Sequence, residues 1–372
     1  MKIVAALDSF KGSLSSLELA DAVEKGVRKV FPDAEILKVP VADGGEGTTE
    51  ALCRELRTVS VHDPLGNPIQ AVYGVLPDGT AVIETAAASG LPLIPPGRRN
   101  PLIGSTFGTG EMIRHAFTTG CRNFILGLGG SATNDGGMGL LSALGFEFTD
   151  AAGNLLPGSG ADLIKIRGIN GEKARAKLSG CRFLAACDVK NPLYGPNGAA
   201  FIFAPQKGAD AEVVRILDDG LRNYAAVAGK RFARTPGSGA AGGLGFALLT
   251  FLEAELRPGI ELILAKQNFD ALLEGADFVI TGEGRMDSQT LQGKTPIGVA
   301  AAAKRRGIPV IALAGGLADD AGVVHDHGID AVFSIQNRPV SLAEAMDKTN
   351  AARMTELRTE EIFRVIRLGC LK

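Results

Sequence analysis

The chain has 372 residues, 22% of them charged, and a formal net charge of −2. That length exceeds one ordinary hydrophobic core and predicts two α/β domains. The near-neutral charge gives no electrostatic footing for nucleic acid or an anionic membrane surface as partner.

Composition narrows the class further. The 49 glycines, with no tryptophan, point to many tight turns and to places where backbone comes close to other atoms. Five cysteines (Cys53, Cys121, Cys181, Cys187 and Cys370) show no CxxC spacing, which predicts free thiols in a reducing compartment. The N-terminal apolar run is too short for a signal peptide, and no stretch approaches the roughly 18–20 apolar residues of a membrane span. The expected location is the cytoplasm.

In chain order, residues 3–7 form a short apolar strand followed by Asp8-Ser9-Phe10-Lys11-Gly12-Ser13 and a helical pattern over 16–31, with Ser15 or Ser16 as N-cap. A second strand over 35–41 leads into Ala42-Asp43-Gly44-Gly45-Glu46-Gly47 and another helix. Two strand–loop–helix units predict a parallel sheet with functional loops at the carboxyl ends of its strands. Three short β runs at 59–61, 69–75 and 81–85, separated by PLGNP and PDG, read instead as an antiparallel meander.

Further on come a helix over 108–119, a strand over 123–128, the loop GLGGSATNDGG and a helix to 144. A strand over 182–187, a helix over 211–227 and the loop GSGAAGG follow. From 277 the strand–helix alternation returns: strand 277–281, the loop GEGRMD, helix 296–306, strands 308–314 and 331–334, and a terminal helix over 342–366. The expected fold class is α/β, with a discontinuous, Rossmann-like parallel-sheet domain (1–64 with 268–372) and a second, mixed α/β domain (65–267) inserted into it.

Acidic residues recur at glycine-rich loops just after apolar runs: Asp8, Asp43 with Glu46, Asp135, Asp188, and Glu283 with Asp287. Carboxylates at strand ends suit a ligand that brings a hard cation, or a hydroxyl that must lose its proton. Any one of them could equally be a turn or helix-cap residue. GLGGSATNDGG offers free backbone N–H groups and the Ser131 and Thr133 hydroxyls ahead of a helix, as a phosphate cradle would; a tight βα turn is the alternative. Asn134 and Asp135 could position a metal or nucleotide there.

GSGAAG at 237–242 matches GxGxxG formally but follows Arg234-Thr235-Pro236 rather than a strand, so a dinucleotide fingerprint is not expected. An anion-binding helix start or close packing fits it better. Gly293-Lys294-Thr295 resembles the tail of a P-loop, yet Ser288 stands where that motif requires glycine. Lys11, Lys207 and Lys294 lie in glycine-containing loops, as residues that bind a carboxylate or phosphates do.

The blocks DSFKGSLSS (8–16), PVADGGEGT (40–48), GLGGSATNDGG (127–137), CDVKNPLYGPNGAA (187–200), PQKGA (205–209), GSGAAGGLG (237–245) and TGEGRMDSQTLQGKTPIGVA (281–300) together resemble the type I glycerate kinase family, in collinear order over essentially the whole chain. The resemblance implies an active site in the cleft between two α/β domains, ATP and Mg²⁺ as co-reactants, and phosphoryl transfer to D-glycerate, usually at its 2-hydroxyl. On that reading Lys11, with Asp8, Ser9, Glu283 and Asp287, would bind glycerate. Gly129, Gly130, Ser131, Thr133 and Asn134 would hold the nucleotide phosphates. Asp43 and Asp188 are the expected Mg²⁺ ligands and, with Lys11, the catalytic set, Asp188 being favoured as proton acceptor. The partners expected are small molecules alone, for a monomer or homodimer.

Overall fold

A computed structural model describes residues 1–291 and 293–369. Its strands, in chain order, are β1 (Lys2–Leu7), β2 (Glu35–Lys38), β3 (Glu55–His62), β4 (Pro68–Val75), β5 (Ala81–Glu84), β6 (Asn123–Gly127), β7 (Glu147–Thr149), β8 (Gly168–Asn170), β9 (Arg182–Ala186), β10 (Glu255–Arg257), β11 (Phe278–Met286), β12 (Val310–Leu317) and β13 (Ala331–Ser334). The chain forms two compact units, Met1–Asp43 with Gly259–Lys372, and Gly44–Pro258. Among the described residues, no helix is long and apolar enough to cross a membrane.

The first unit is built on a five-stranded sheet of order β13-β12-β11-β1-β2, parallel throughout. Alternation along β1 explains its two faces. Val4 and Ala6 join a cluster with Ile260, Phe269, Val299 and Ala303, whereas Ile3, Ala5 and Leu7 join one with Leu19, Val23, Met354 and Phe363. The helix Ser16–Arg28 starts on a capping box: Ser15 accepts from the Glu18 amide while Glu18 accepts from the Ser15 amide. Its first residue, Ser16, donates its hydroxyl to the Leu7 carbonyl and accepts from the Val41 amide, which ties the end of β1 to the segment leading to Asp43.

Strand order reverses at β1 and β11: the chain goes from β1 outward to β2 on one side, and from β11 outward through β12 to β13 on the other. In an open parallel sheet, the carboxyl ends of the strands flanking such a reversal border the ligand crevice.

The second unit has a six-stranded mixed sheet of order β10-β9-β6-β5-β4-β3, with β3, β4 and β5 antiparallel and β5, β6, β9 and β10 parallel. A small antiparallel pair, β7 with β8, lies apart from it. Its core draws on the large buried side chains Tyr73, Phe124, Phe148, Tyr224 and Phe246.

Three readings of the sequence need correction. β3 is hydrogen-bonded to β4 along its whole length, and Ile260 and Leu264 pack in the first unit, so the chain changes units at 43/44 and 258/259 rather than 64/65 and 267/268. GEGRMD is no loop: β11 continues through it, paired with β12 as far as Leu317. A Cβ on Gly282 would sit 2.1 Å from the Leu313 carbonyl oxygen, so that glycine serves close strand approach, not a turn. The terminal helix is interrupted at Asp347, giving Leu342–Met346 and Lys348–Gly369.

Candidate functional site

Asp8 leaves β1 at the reversal point. Its amide bonds the Gly282 carbonyl of β11, and its carboxylate accepts from the Ser9 amide at 2.7 Å and the Thr295 hydroxyl at 2.8 Å. Burial, then the neighbouring charge of Asp43, raise its pKa from the ordinary carboxyl value to about 7. Asp43 in turn lies 3.9 Å from the exposed Lys11 ammonium. Asp8, Ser9, Lys11 and Asp43 thus stand together, although 35 residues separate the first acid from the last.

Glu283 lies on β11 one position beyond Gly282, the partner of Leu7. Its carboxylate accepts from the Thr290 hydroxyl at 2.6 Å and from Lys294 at 3.1 Å, while burial raises its pKa. Asp287 accepts from the Gln289 amide and lies 3.7 Å from Arg285, so part of its bonding capacity shapes the turn after β11. Lys294 and Thr295 open the helix Thr295–Lys304, with Pro296 pre-setting its first turn. The segment that resembled a P-loop tail therefore supplies a cation to Glu283 and a hydroxyl to Asp8. Thr290 went unnoticed in the sequence, and Thr295 was noticed only as part of the P-loop-like tail, not as a partner of Asp8.

In the second unit, Gly129–Asn134 follow β6, and Asp188 follows the adjacent parallel strand β9, in whose register Gly127 pairs with Ala186. Parallel pairing puts both segments beyond the same edge of the sheet. Asp188 is half-buried, two residues past the end of β9.

Gly129 and Gly130 are exposed, and Gly130 needs φ +72°, which favours glycine. Ser131 retains an edge at 8% exposure, whereas Thr133 and Asn134 are fully buried. Among the described residues, neither amide atom of Asn134 nor the Thr133 hydroxyl has a hydrogen-bond partner. In this conformation the accessible part of the loop is Gly129, Gly130 and Ser131.

Asp135 does not serve a ligand. It is fully buried and accepts from the Thr106 amide and hydroxyl, the Gly137 amide and the Gly139 amide. Burial raises its pKa, while those donors act the other way. Nor is GSGAAGG free to bind an anion. A Cβ on Gly242 would lie 2.1 Å from the Thr133 carbonyl oxygen, and the Gly242 carbonyl accepts from the Gly136 amide. Its glycines permit close packing beneath the β6 loop.

Among the described residues, no group of three or more His, Cys, Asp or Glu could hold a metal ion. Mg²⁺ does not require one. It takes one or two carboxylates and completes an oxygen octahedron from water and phosphate. Asp8 and Asp43 are two carboxylates close enough for the charge of one to perturb the other.

A parallel sheet with carboxylates, a lysine and a helix start gathered at its strand reversal, and a glycine loop at strand ends in a second unit, are the parts of a small-molecule α/β enzyme. The model of the glycerate kinase family matches residues 3–367. The chain is 48% identical to glycerate kinase of Bacillus subtilis, over 99% of this chain and 98% of that one. It is 49% identical to glycerate 2-kinase of Escherichia coli, over 93% of each. A crystal structure from Salmonella typhimurium LT2, of a protein assigned as glycerate kinase 2, superposes with a TM-score of 0.90 at 45% identity, covering both chains fully. The chain belongs to the glycerate kinase family.

Proposed function

We propose that the chain transfers the γ-phosphoryl group of ATP to the 2-hydroxyl of D-glycerate, giving 2-phospho-D-glycerate and ADP in cytoplasmic organic-acid catabolism. The observation that carries this reading is the family match over nearly the whole chain. The carboxylates and lysine around Asp8 support it chemically, because glycerate brings one carboxylate to be neutralised and two hydroxyls to be held.

In the reaction, the glycerate hydroxyl oxygen forms a bond to the γ-phosphorus as the bond to the β–γ bridging oxygen breaks, and ADP leaves with that electron pair. The hydroxyl proton passes to a carboxylate. The protein's work in such a transfer is placement and charge neutralisation. Lys11, with the Ser9 hydroxyl and N–H, takes the glycerate carboxylate. Asp8, Glu283 and Asp287 accept from its hydroxyls. Gly129, Gly130 and Ser131 meet the phosphate oxygens, with Thr133 and Asn134 shaping the loop from below. Asp188 takes the proton. Asp43, with Asp8, would hold Mg²⁺, and when bound the ion would offset phosphate charge.

The test is ADP formation from ATP with and without D-glycerate and Mg²⁺, with the phosphorylated product identified by ³¹P NMR. The expected result is turnover that needs both additions and yields the 2-phosphate. Equal ATP hydrolysis without glycerate would sink the assignment, and a 3-phosphate product would overturn its regiochemistry.

A further inference from the structure

Lys207 is 2% exposed, yet among the described residues no carboxylate is hydrogen-bonded to it. It ends the short 3₁₀ turn Pro205–Lys207 and is followed by Gly208 at φ +96°, where a Cβ would come 2.4 Å from the Arg99 carbonyl oxygen. That turn drives the side chain under the β6 loop. Its ammonium donates to the Ser131 hydroxyl oxygen at 3.0 Å and to the Thr133 carbonyl at 2.6 Å.

A buried ammonium is expensive for stability, and an apolar side chain of similar length would fill the space at lower cost. Burial accordingly lowers the Lys207 pKa from the ordinary lysine value to about 7, opposed by the charge of Asp135. The distinctive consequence is directional. In its charged form the lysine has three donors and no acceptor, so the Ser131 oxygen then accepts from it. The Ser131 hydrogen is then turned away from Lys207, and among the described residues nothing is hydrogen-bonded to take it.

The backbone around Ser131 is fixed as well. Gly130 accepts from the Leu91 amide, and Ala132 donates to the Ser89 carbonyl, an antiparallel bridge that pins the loop on both sides of the serine. Ser131 is held by backbone on either side and by the ammonium beneath. Ser131, 8% exposed, adjoins the exposed Gly129 and Gly130.

We infer that Lys207 is a positioning residue that fixes the Ser131 hydroxyl as a donor to an oxyanion, the ATP phosphates, while adding positive charge beneath them. This rests on the phosphate-binding reading of the loop. Without the lysine, the hydroxyl would rotate freely and could donate inward to the Thr133 carbonyl, which Lys207 now occupies.

Lys207→Met, Ser131→Ala and the double variant test it in the full chain, with KM for ATP and for glycerate, binding of a non-hydrolysable ATP analogue, and Tm. Lys207→Met is expected to raise KM for ATP roughly ten- to a hundredfold, the effect of losing a hydrogen bond to a charged group, with KM for glycerate unchanged. Ser131→Ala should do the same to a smaller degree. In the double variant the two losses should be far from additive, because each removes the same oriented donor. Ser131→Ala with unchanged ATP affinity would overturn the phosphate-loop reading itself. Weaker ATP binding in Ser131→Ala but not in Lys207→Met, or strictly additive losses, would overturn the role of Lys207 alone. A Lys207→Met chain that does not fold leaves the decision to Lys207→Gln, judged by the same cycle.

Discussion

Lys11 and Asp8 occupy one loop under opposite conditions. Asp8 is buried and held by Thr295, whereas Lys11 is exposed and lies 3.9 Å from Asp43. An exposed pair at that distance contributes little to stability, so Lys11 can be removed with the fold intact. Lys11→Ala is expected to raise KM for glycerate about ten- to a hundredfold with kcat little changed, the loss of one charge-assisted bond in the ground state. A rise in KM for ATP alone would move Lys11 to the nucleotide.

The two aspartates proposed for catalysis, Asp43 and Asp188, separate by metal dependence. Asp188→Asn keeps the side chain's volume but removes its proton acceptor, so kcat should fall about 10²–10⁴-fold with KM nearly intact at any Mg²⁺ concentration. Asp43→Asn should instead raise the Mg²⁺ requirement and regain activity as Mg²⁺ is increased. Titrating Mg²⁺ against kcat in both variants assigns the roles, and near wild-type kinetics in both would mean the centre lies elsewhere.

At the scale of elements, hydrophobic alternation and capping made most strands and helices legible. The 3–7 run and the antiparallel meander appear where the sequence placed them, and of the two candidate caps Ser15 and Ser16 it is Ser15 that caps the helix. What misled was glycine, which looks the same in a turn and in a tightly packed strand: Gly282 and Gly284 lie inside β11, and Gly242 lies under Thr133. Glycine-rich loops flanked by acids pointed to the candidate site, but the contacts of Lys207, Thr290 and Thr295 are with partners 7 to 287 residues away, which local pattern cannot reveal.

One short element makes its own prediction. The 3₁₀ turn Gly160–Lys165 begins with a capping box in which Asp162 accepts from the Ser159 amide and hydroxyl, and from Lys165 at 2.9 Å. Burial disfavours the Asp162 charge, but these partners outweigh it and hold its pKa below the ordinary value. A folded pKa below the unfolded one means stability that is present above the unfolded value and lost as pH falls through the folded one. Asp162→Asn should therefore cost about 1–2 kcal/mol at neutral pH. The gap from wild type, followed by denaturant melts, should narrow below about pH 4. A gap that stays constant down to pH 3 would mean the loss is steric.

For the molecule as a whole, the proposed glycerate groups Asp8, Ser9 and Lys11 belong to the unit of Met1–Asp43 with Gly259–Lys372, and the proposed phosphate loop belongs to Gly44–Pro258. Each unit has a core of its own, one on two faces of a parallel sheet and one around Tyr224 and Phe246. A ligand that binds the folded form suppresses local opening where it binds, by an amount set by its concentration over its Kd. The two substrates should therefore leave separable footprints in amide hydrogen exchange. Glycerate alone should slow exchange at Ser9–Ser13, whose amides lie on the Asp8 loop. An ATP analogue alone should slow exchange at Gly129–Ala132, the loop segment that holds the exposed Gly129 and Gly130. Lys11→Ala should erase the first footprint and spare the second; Ser131→Val should do the reverse. If ATP protected the Asp8 loop and left Gly129–Ala132 untouched, the assignment of substrates to the two units would be wrong even with kinase activity intact, because activity reports that both bind and exchange reports where.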